Sequence, residues 1–180
     1  LPEGKTWSSG WQGYGTNLPA FISPNGLTDP AEVFKGGWGF GPVRQAAYAV
    51  YEDGDTRLAG SINAWPEGSY TPRFQDTGLF MRKYSARIGY NPPPGDQDLN
   101  YCNNVRIFRF AEALLNYAEL VVIHGQTEVN GLSAQSCLDR IRKRAFGTDN
   151  SIPATAENIK LERRREFLGE GMRFWDIVRW

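Results

Sequence analysis

The sequence predicts a mainly α-helical protein: a loop-rich first half with short strands, followed by a set of packed helices. Three observations lead there. Of 20 glycines and 11 prolines, 15 and 10 fall in residues 1–100, so the chain changes character near residue 100. From Arg106 onward, apolar residues recur three and four apart, the helical period. At the end, Glu162, Glu166 and Glu170 stand four apart and Arg173, Asp176 and Arg179 three apart, which places each set on one helix face.

Length and charge set the bounds. The chain has 180 residues and 20.2 kDa, enough for one domain with a real core or for part of a larger one. Twenty basic residues balance twenty acidic ones at a pI near 6.8, which gives no electrostatic reason to expect nucleic acid or an acidic membrane surface. No apolar run is long enough to span a bilayer, and no signal-peptide pattern is read in these 180 residues. Leu1 stands where an initiator Met would, and Trp180 follows an apolar helical pattern without a C-cap signal. The expectation is the interior of a longer protein, so absent targeting signals say nothing of its location.

Cys102 and Cys137 form no CxxC and are too few for a disulfide framework; both are expected as buried free thiols. His124 is the only histidine, which rules out a histidine-rich zinc site or a histidine-dependent triad within these residues.

In the first half, residues 1–41 show almost no periodicity. Trp7, Trp11 and Tyr14 punctuate a Gly/Ser-rich run, and Trp38 sits in GGWGFGP. That motif is no dinucleotide fingerprint, because Pro42 stands where the third glycine belongs. Its glycines instead allow close backbone approach while Trp38 anchors the loop. Pro42–Ala49 fits a short helix with proline in its first turn. Arg57–Trp65 is expected as a short strand and Leu79–Tyr84 as an extended segment. Residues 91–100, NPPPGDQDLN, form a loop, since three prolines forbid helix and ladder alike. Asp96, Asp98 and Asn100 copy the first three ligand positions of an EF-hand loop, but Tyr101 and Ile107 fill the positions that need Gly and Glu. An EF-hand is excluded; the choice left is a looser calcium site on those three residues or a polar loop whose carboxylates cap backbone.

The second half reads as helices in sequence. Arg106–His124 is the first, with Phe110, Leu114, Ala118 and Val121 on its buried face and Arg109, Glu112, Asn116 and Glu119 on another. Ser133 caps the next, whose buried face is Ala134, Cys137, Leu138, Ile141 and Ala145. Arg140, Arg142, Lys143 and Arg144 gather toward its C-terminal end, where the helix dipole favours cations. As a nucleic-acid patch the run is weak, because Glu162, Glu166 and Glu170 are placed to neutralise it. Thr155 caps a third helix with Glu157 in its first turn, and a bend at Gly169 or Gly171 divides it from the last turns. Charges mixed among Phe167, Met172, Phe174 and Trp175 are expected to pair with one another as a scaffold. General acid–base chemistry needs carboxylates facing a cleft, and this spacing supplies none.

These residues also carry a family resemblance. RIFRFAEALLNYAEL at 106–120, LDRIRKRAFG at 138–147 and ERRREFLGEGMRFWDIVRW at 162–180 resemble the C-terminal part of the SusD/RagB family. Upstream, EDGDTRLAGSI at 52–62 and LFMRKY at 79–84 are similar to two further segments of that family. The resemblance implies a larger, tetratricopeptide-like helical protein that captures glycans without catalysis. It implies a lipid-anchored outer-membrane location at the cell surface and a SusC-like TonB-dependent transporter as partner. The lipidation cysteine and the tetratricopeptide region are absent from these 180 residues, so membrane contact would be made only through an anchor outside them. No cofactor is implied. In the family, Arg109, Glu112, Asn116, Glu119, Arg140, Arg142, Glu162, Arg163, Glu166, Gly171, Arg173, Asp176 and Arg179 are framework residues rather than ligand contacts.

Three functions follow for comparison. Glycan capture needs aromatic platforms beside polar groups, which makes Trp7, Trp11, Tyr14, Trp38 and Trp65 the candidate ligand residues in a loop-rich segment 1–104. The helical segment 105–180 is the scaffold. A docking segment for the transporter, with a peptide cargo, is the alternative. A glycosidase needs two carboxylates roughly 5–9 Å apart across a substrate, and the regular carboxylate spacing lies in the framework.

Overall fold

The structure is a computed structural model that describes residues 15–91 and 97–180. It is mainly α-helical, with two short antiparallel strands early in the chain and packed helices after them. The candidate residues Trp7, Trp11, Tyr14 and Asp96 lie outside the described residues. Contacts group the described chain into two compact units. One holds the residues up to Gln45 together with Gly60–Val105; the other holds Ala46–Ala59 and Arg106–Trp180.

In the first unit, α1 (Leu18–Ile22) opens with Pro19 in its first turn, where the missing amide costs nothing. Its five residues are too few to display a period. Instead of a helix partner, α1 has a strap: Trp38 N bonds Ala20 O, Gly39 N bonds Ser23 O and Phe40 N bonds Phe21 O. Gly37 makes that approach possible, since a Cβ there would sit 2.2 Å from Ala20 O. Trp38 packs on buried Ala20, Ala86 and Tyr101.

The expected strand over Arg57–Trp65 is corrected. Thr56–Ser61 is helical (α3) and only Ile62–Ala64 is a strand (β1). Asp55 accepts the Arg57 amide at 3.0 Å, an N-cap bond that starts a helix where a strand was expected. β1 pairs antiparallel with β2 (Leu79–Met81), Asn63 opposite Phe80. The extended segment expected to run to Tyr84 stops at Met81. The helix expected from Pro42 begins only at Gln45 (α2, Gln45–Tyr48), because Val43 N is held by Leu79 O at 2.8 Å.

The second unit is built from α4 (Phe110–Val122), α5 (Ala134–Phe146), α6 (Ala156–Glu166) and α7 (Met172–Arg179). Ser133 and Ser136 form a reciprocal capping box at the start of α5, and Gly147 ends it in the left-handed conformation. Thr155 accepts the Asn158 amide at the start of α6. Both Gly169 and Gly171 take positive φ at the bend before α7. Ala111, Leu114, Leu115 and Ala118 of α4 meet Ala134, Cys137, Leu138 and Ile141 of α5, with Ile159 and Phe167 closing the core.

Two expectations fail here. Phe110 is 63 % exposed, and Ile107 is exposed as well. Arg109 is extended rather than helical, so α4 starts four residues later than its apolar period suggested and turns Ala111 and Leu115 inward. Cys137 is buried as expected, but Cys102 is exposed. It follows buried Tyr101 in an extended stretch, where alternate side chains point to opposite sides. On α7, Phe174, Trp175, Ile177 and Val178 all face outward, and Asp176 is the buried residue of the helix.

Candidate functional site

The charged residues of the second unit assemble into buried clusters. Glu162, fully buried, is shared by Arg57 at 2.7 Å, Arg142 at 3.1 Å and Arg165 at 3.2 Å. Arg142 also reaches Glu52 at 2.8 Å and the Asn150 carbonyl oxygen at 2.7 Å. Glu166 is bonded by Arg57 at 3.1 Å, by Arg109 at 2.9 Å and by Arg144. Arg109 grips Glu170 through two further bonds. In a second cluster Arg163 bonds Asp176 at 2.9 Å and Asn116 at 2.7 Å, while Arg179 bonds Glu119 and Asp176. Trp180 donates its indole N–H to Glu119 at 2.7 Å.

These partners set the protonation states. Burial would raise the Glu166 pKa, but hydrogen bonds and charge from Arg144, Arg109 and Arg57 outweigh it and bring it down to about 2. Burial likewise opposes ionisation of Glu119, and bonds from Arg179 and Trp180 reverse the balance and lower it. Such carboxylates are ionised and occupied, with no proton to exchange with a substrate.

The remaining framework candidates are placed differently. Arg140 and Arg173 are exposed; the first lies over the Phe110 ring at 5.1 Å and the second over Trp180 at 5.8 Å. Glu112 lines a pocket of about 350 Å³ with Asn116, His124 and Trp175.

The first unit carries an open cleft of about 690 Å³, within the roughly 300–1,000 Å³ typical of ligand sites. Phe40, Arg44, Arg73, Phe74, Gln75 and Thr77 are among its walls. One wall is the end of the strap over α1. There Phe40 is 50 % exposed and its ring lies 5.2 Å from that of Phe21, which is itself partly exposed. The other wall is the tight loop 71–77. It is pinned by Thr71 N to Asn25 O at 2.7 Å, by Asp76 N to Arg73 O at 3.1 Å and by Tyr70 Oη to Asp76 at 2.8 Å. Burial and the Asp76 carboxylate push the Tyr70 hydroxyl up to about 12, so it remains a donor. Gln75 takes a positive φ at the tip, and Phe74 stands 87 % exposed beside it. Gly39 lies where the two walls meet: its φ is +73° and a Cβ would come 2.9 Å from Arg73 Cγ.

The cleft therefore offers two apolar ring faces with guanidinium and amide donors between them. That combination suits a ligand with flat C–H faces and hydroxyl edges. Trp38 and Trp65 are not among its walls. Trp38 donates its indole N–H to Asp98 at 3.3 Å, and Trp65 packs edge-on against Phe34 with rings 5.9 Å apart. Asn100 is buried, and the described residues hold no cluster of three or more His, Cys, Asp or Glu placed to bind a metal ion. Phe40 and Phe74 are not among the candidate residues the sequence suggests; the signal for Phe74 is an apolar ring alone in a polar turn, PRFQD at 72–76.

Buried arginine–carboxylate clusters in a helical unit, joined in sequence to a loop-rich unit, define a structural class that comparison identifies. The chain belongs to the SusD family, whose model matches residues 56–180. It is 71 % identical to surface glycan-binding protein A from Bacteroides fluxus, with a TM-score of 0.93, covering 100 % of this chain and 38 % of that one. The structure of surface glycan-binding protein A from Bacteroides thetaiotaomicron in complex with laminarihexaose is 37 % identical, with a TM-score of 0.87, covering 98 % of this chain and 40 % of that one. A laminarin-binding SusD-like protein is 32 % identical with a TM-score of 0.82, covering 98 % and 39 %. The chain thus spans about two fifths of the length of these relatives. No curated protein matches it.

Proposed function

We propose that this chain is part of a non-catalytic glycan-capture protein and that the cleft of its first unit holds sugar. The observation that carries the reading is the pair Phe40 and Phe74, both exposed on the walls of one cleft that also presents Arg44, Arg73 and Gln75. Exposed rings on the walls of one cleft, beside polar side chains, offer apolar faces on which a sugar can pack. The relative solved with laminarihexaose and the laminarin-binding relative favour a glucose oligosaccharide of the laminarin type. On this reading Trp38 supports the site from beneath, and Trp7, Trp11, Tyr14 and Trp65 supply any further ligand contacts. The framework carboxylates hold the helices together and play no part in turnover. The whole protein is then a larger, tetratricopeptide-like helical molecule. It is lipid-anchored at the outer surface and hands its cargo to a SusC-like TonB-dependent transporter.

Calorimetric titration with laminarihexaose tests this. Phe40→Ala and Phe74→Ala should each weaken binding about tenfold, near 1.4 kcal/mol, with the thermal melt unchanged. Unchanged affinity in both variants would place the sugar elsewhere. Binding of another glycan but not laminarihexaose would retain the cleft and change its ligand.

A further inference from the structure

In the second unit, seven arginines — 57, 109, 142, 144, 163, 165 and 179 — each have a carboxylate partner. Among the described residues Arg106, Arg140, Arg164 and Arg173 have none, and the last two line the same small pocket between α6 and the start of α7. Arg164 bonds only a backbone oxygen, that of Ala46 at 2.8 Å. Arg173 lies exposed with its guanidinium over the Trp180 ring. The other charged lining residues, Arg163 and Asp176, are already bonded to each other. The pocket therefore has two cations without a counter-charge beside an apolar wall of Ala47, Phe167 and Leu168. Burial together with the nearby Arg173 charge lowers the Arg164 pKa, as expected of like charges sharing a space. No acidic residue stands in the first turn of α7, and Gly171 gives it no side-chain cap, so the helix end adds positive potential.

We propose that this pocket is an oxyanion subsite, with Arg164 and Arg173 as its two binding cations. Its volume is about 150 Å³. A cavity of about that volume is filled by benzene, so a sulfate or carboxylate group fits. Guanidinium groups suit this chemistry because their planar N–H pairs match the oxygens of sulfate, phosphate or carboxylate. The same chemistry is available from a free inorganic anion and from an acidic substituent on a glycan.

The test is titration of the full chain with sodium sulfate at constant ionic strength, followed by calorimetry and by the indole signals of the protein. One saturable site is expected, weakened about tenfold by Arg173→Gln and likewise by Arg164→Gln, with Arg164→Lys retaining part of the affinity. Parallel titrations with glucuronate and with glucose separate the sources. Glucuronate binding that competes with sulfate assigns the subsite to acidic sugars, and sulfate binding alone assigns it to free anions. Absence of saturable binding by either anion overturns the proposal, as does binding that both glutamine variants leave unchanged. Should Arg164→Gln lower the melt through loss of its bond to Ala46, the exposed Arg173→Gln variant still decides the outcome. Sugar binding in the Phe40/Phe74 cleft is a separate readout, so failure of one reading leaves the other intact.

Discussion

Arg142 and Glu162 are both fully buried and meet at 3.1 Å, an ion pair withdrawn from water inside the helical unit. Removing two charges from water costs several kcal/mol per ion, and the cost is offset only when every remaining donor and acceptor is satisfied. Glu52 and Asn150 complete Arg142; Arg165 bonds Glu162 Oε2, while Oε1 has Arg57 as a charge partner at 2.7 Å but no hydrogen bond. Glu162→Gln leaves three arginines facing a neutral amide and should lower unfolding free energy by about 3–5 kcal/mol. Urea melts of the single variant against an Arg142→Met/Glu162→Leu double variant check the cause. The double variant should recover part of the loss, whereas equal or greater loss would show that packing, not stranded charge, dominates.

Acid should unfold this unit early. Glu166 has a folded pKa of about 2 against an ordinary value of 4.5, so its ionised form is the one the fold favours. The stabilisation is complete above pH 4.5 and is lost as pH falls toward 2, amounting to about 3 kcal/mol. Melts at pH 6, 4 and 3 should show a decline that is visibly shallower in Glu166→Gln, which has no proton to gain. An equally steep decline in the variant would assign the acid sensitivity to other carboxylates.

Gly39 separates loop geometry from stability. A Cβ there meets Arg73 Cγ and must adopt a positive φ, with a backbone cost of about 1–2 kcal/mol. Gly39→Ala should therefore lower the melt modestly while displacing Arg73 from the cleft and weakening sugar binding. Gly37→Ala, aimed at the Ala20 carbonyl, should instead cost enough to disrupt α1 and its strap. If both variants behave alike in circular dichroism, the strap is less tightly seated than its geometry requires.

The outward face of α7 should make isolated residues 1–180 self-associate. Phe174, Trp175, Ile177 and Val178 are each more than half exposed on one short helix. Contiguous apolar surface beyond a few hundred Å² favours association at roughly 25 cal/mol per Å² covered. Sedimentation velocity should show concentration-dependent species that shift toward monomer in Ile177→Glu/Val178→Lys. A compact monomer at all concentrations would show that this face is tolerated in water.

The helices of the second unit were legible where caps and period agreed. Ser133 and Thr155 announce α5 and α6, and Cys137, Leu138 and Ile141 lie on the face their spacing assigns. Where a long-range partner acts, local pattern loses. Arg109 leaves the helix to reach Glu166 and Glu170, which no local reading of RIFRF contains. Asp55 starts a helix over the first residues of the expected strand, its side chain accepting the Arg57 amide. The cleft was least legible, because its walls are two loops brought together through Asn25, distant in sequence from Arg73 and Phe74.

Arg57 reaches across more than a hundred positions of sequence to Glu162 and Glu166. During synthesis it leaves the ribosome long before α6 exists, paired locally with Asp55, while Glu52 emerges nearby with its eventual partners Arg142 and Arg165 unmade. Contacts of such wide sequence separation slow folding, because the loop must close before any of them contributes. The second unit therefore assembles late, after the first unit's residues up to Gln45 and from Gly60 to Val105 have been made. A nascent chain stalled before residue 156 should hold Arg57 in a protease-sensitive state, and release of α6 should protect it in a single step.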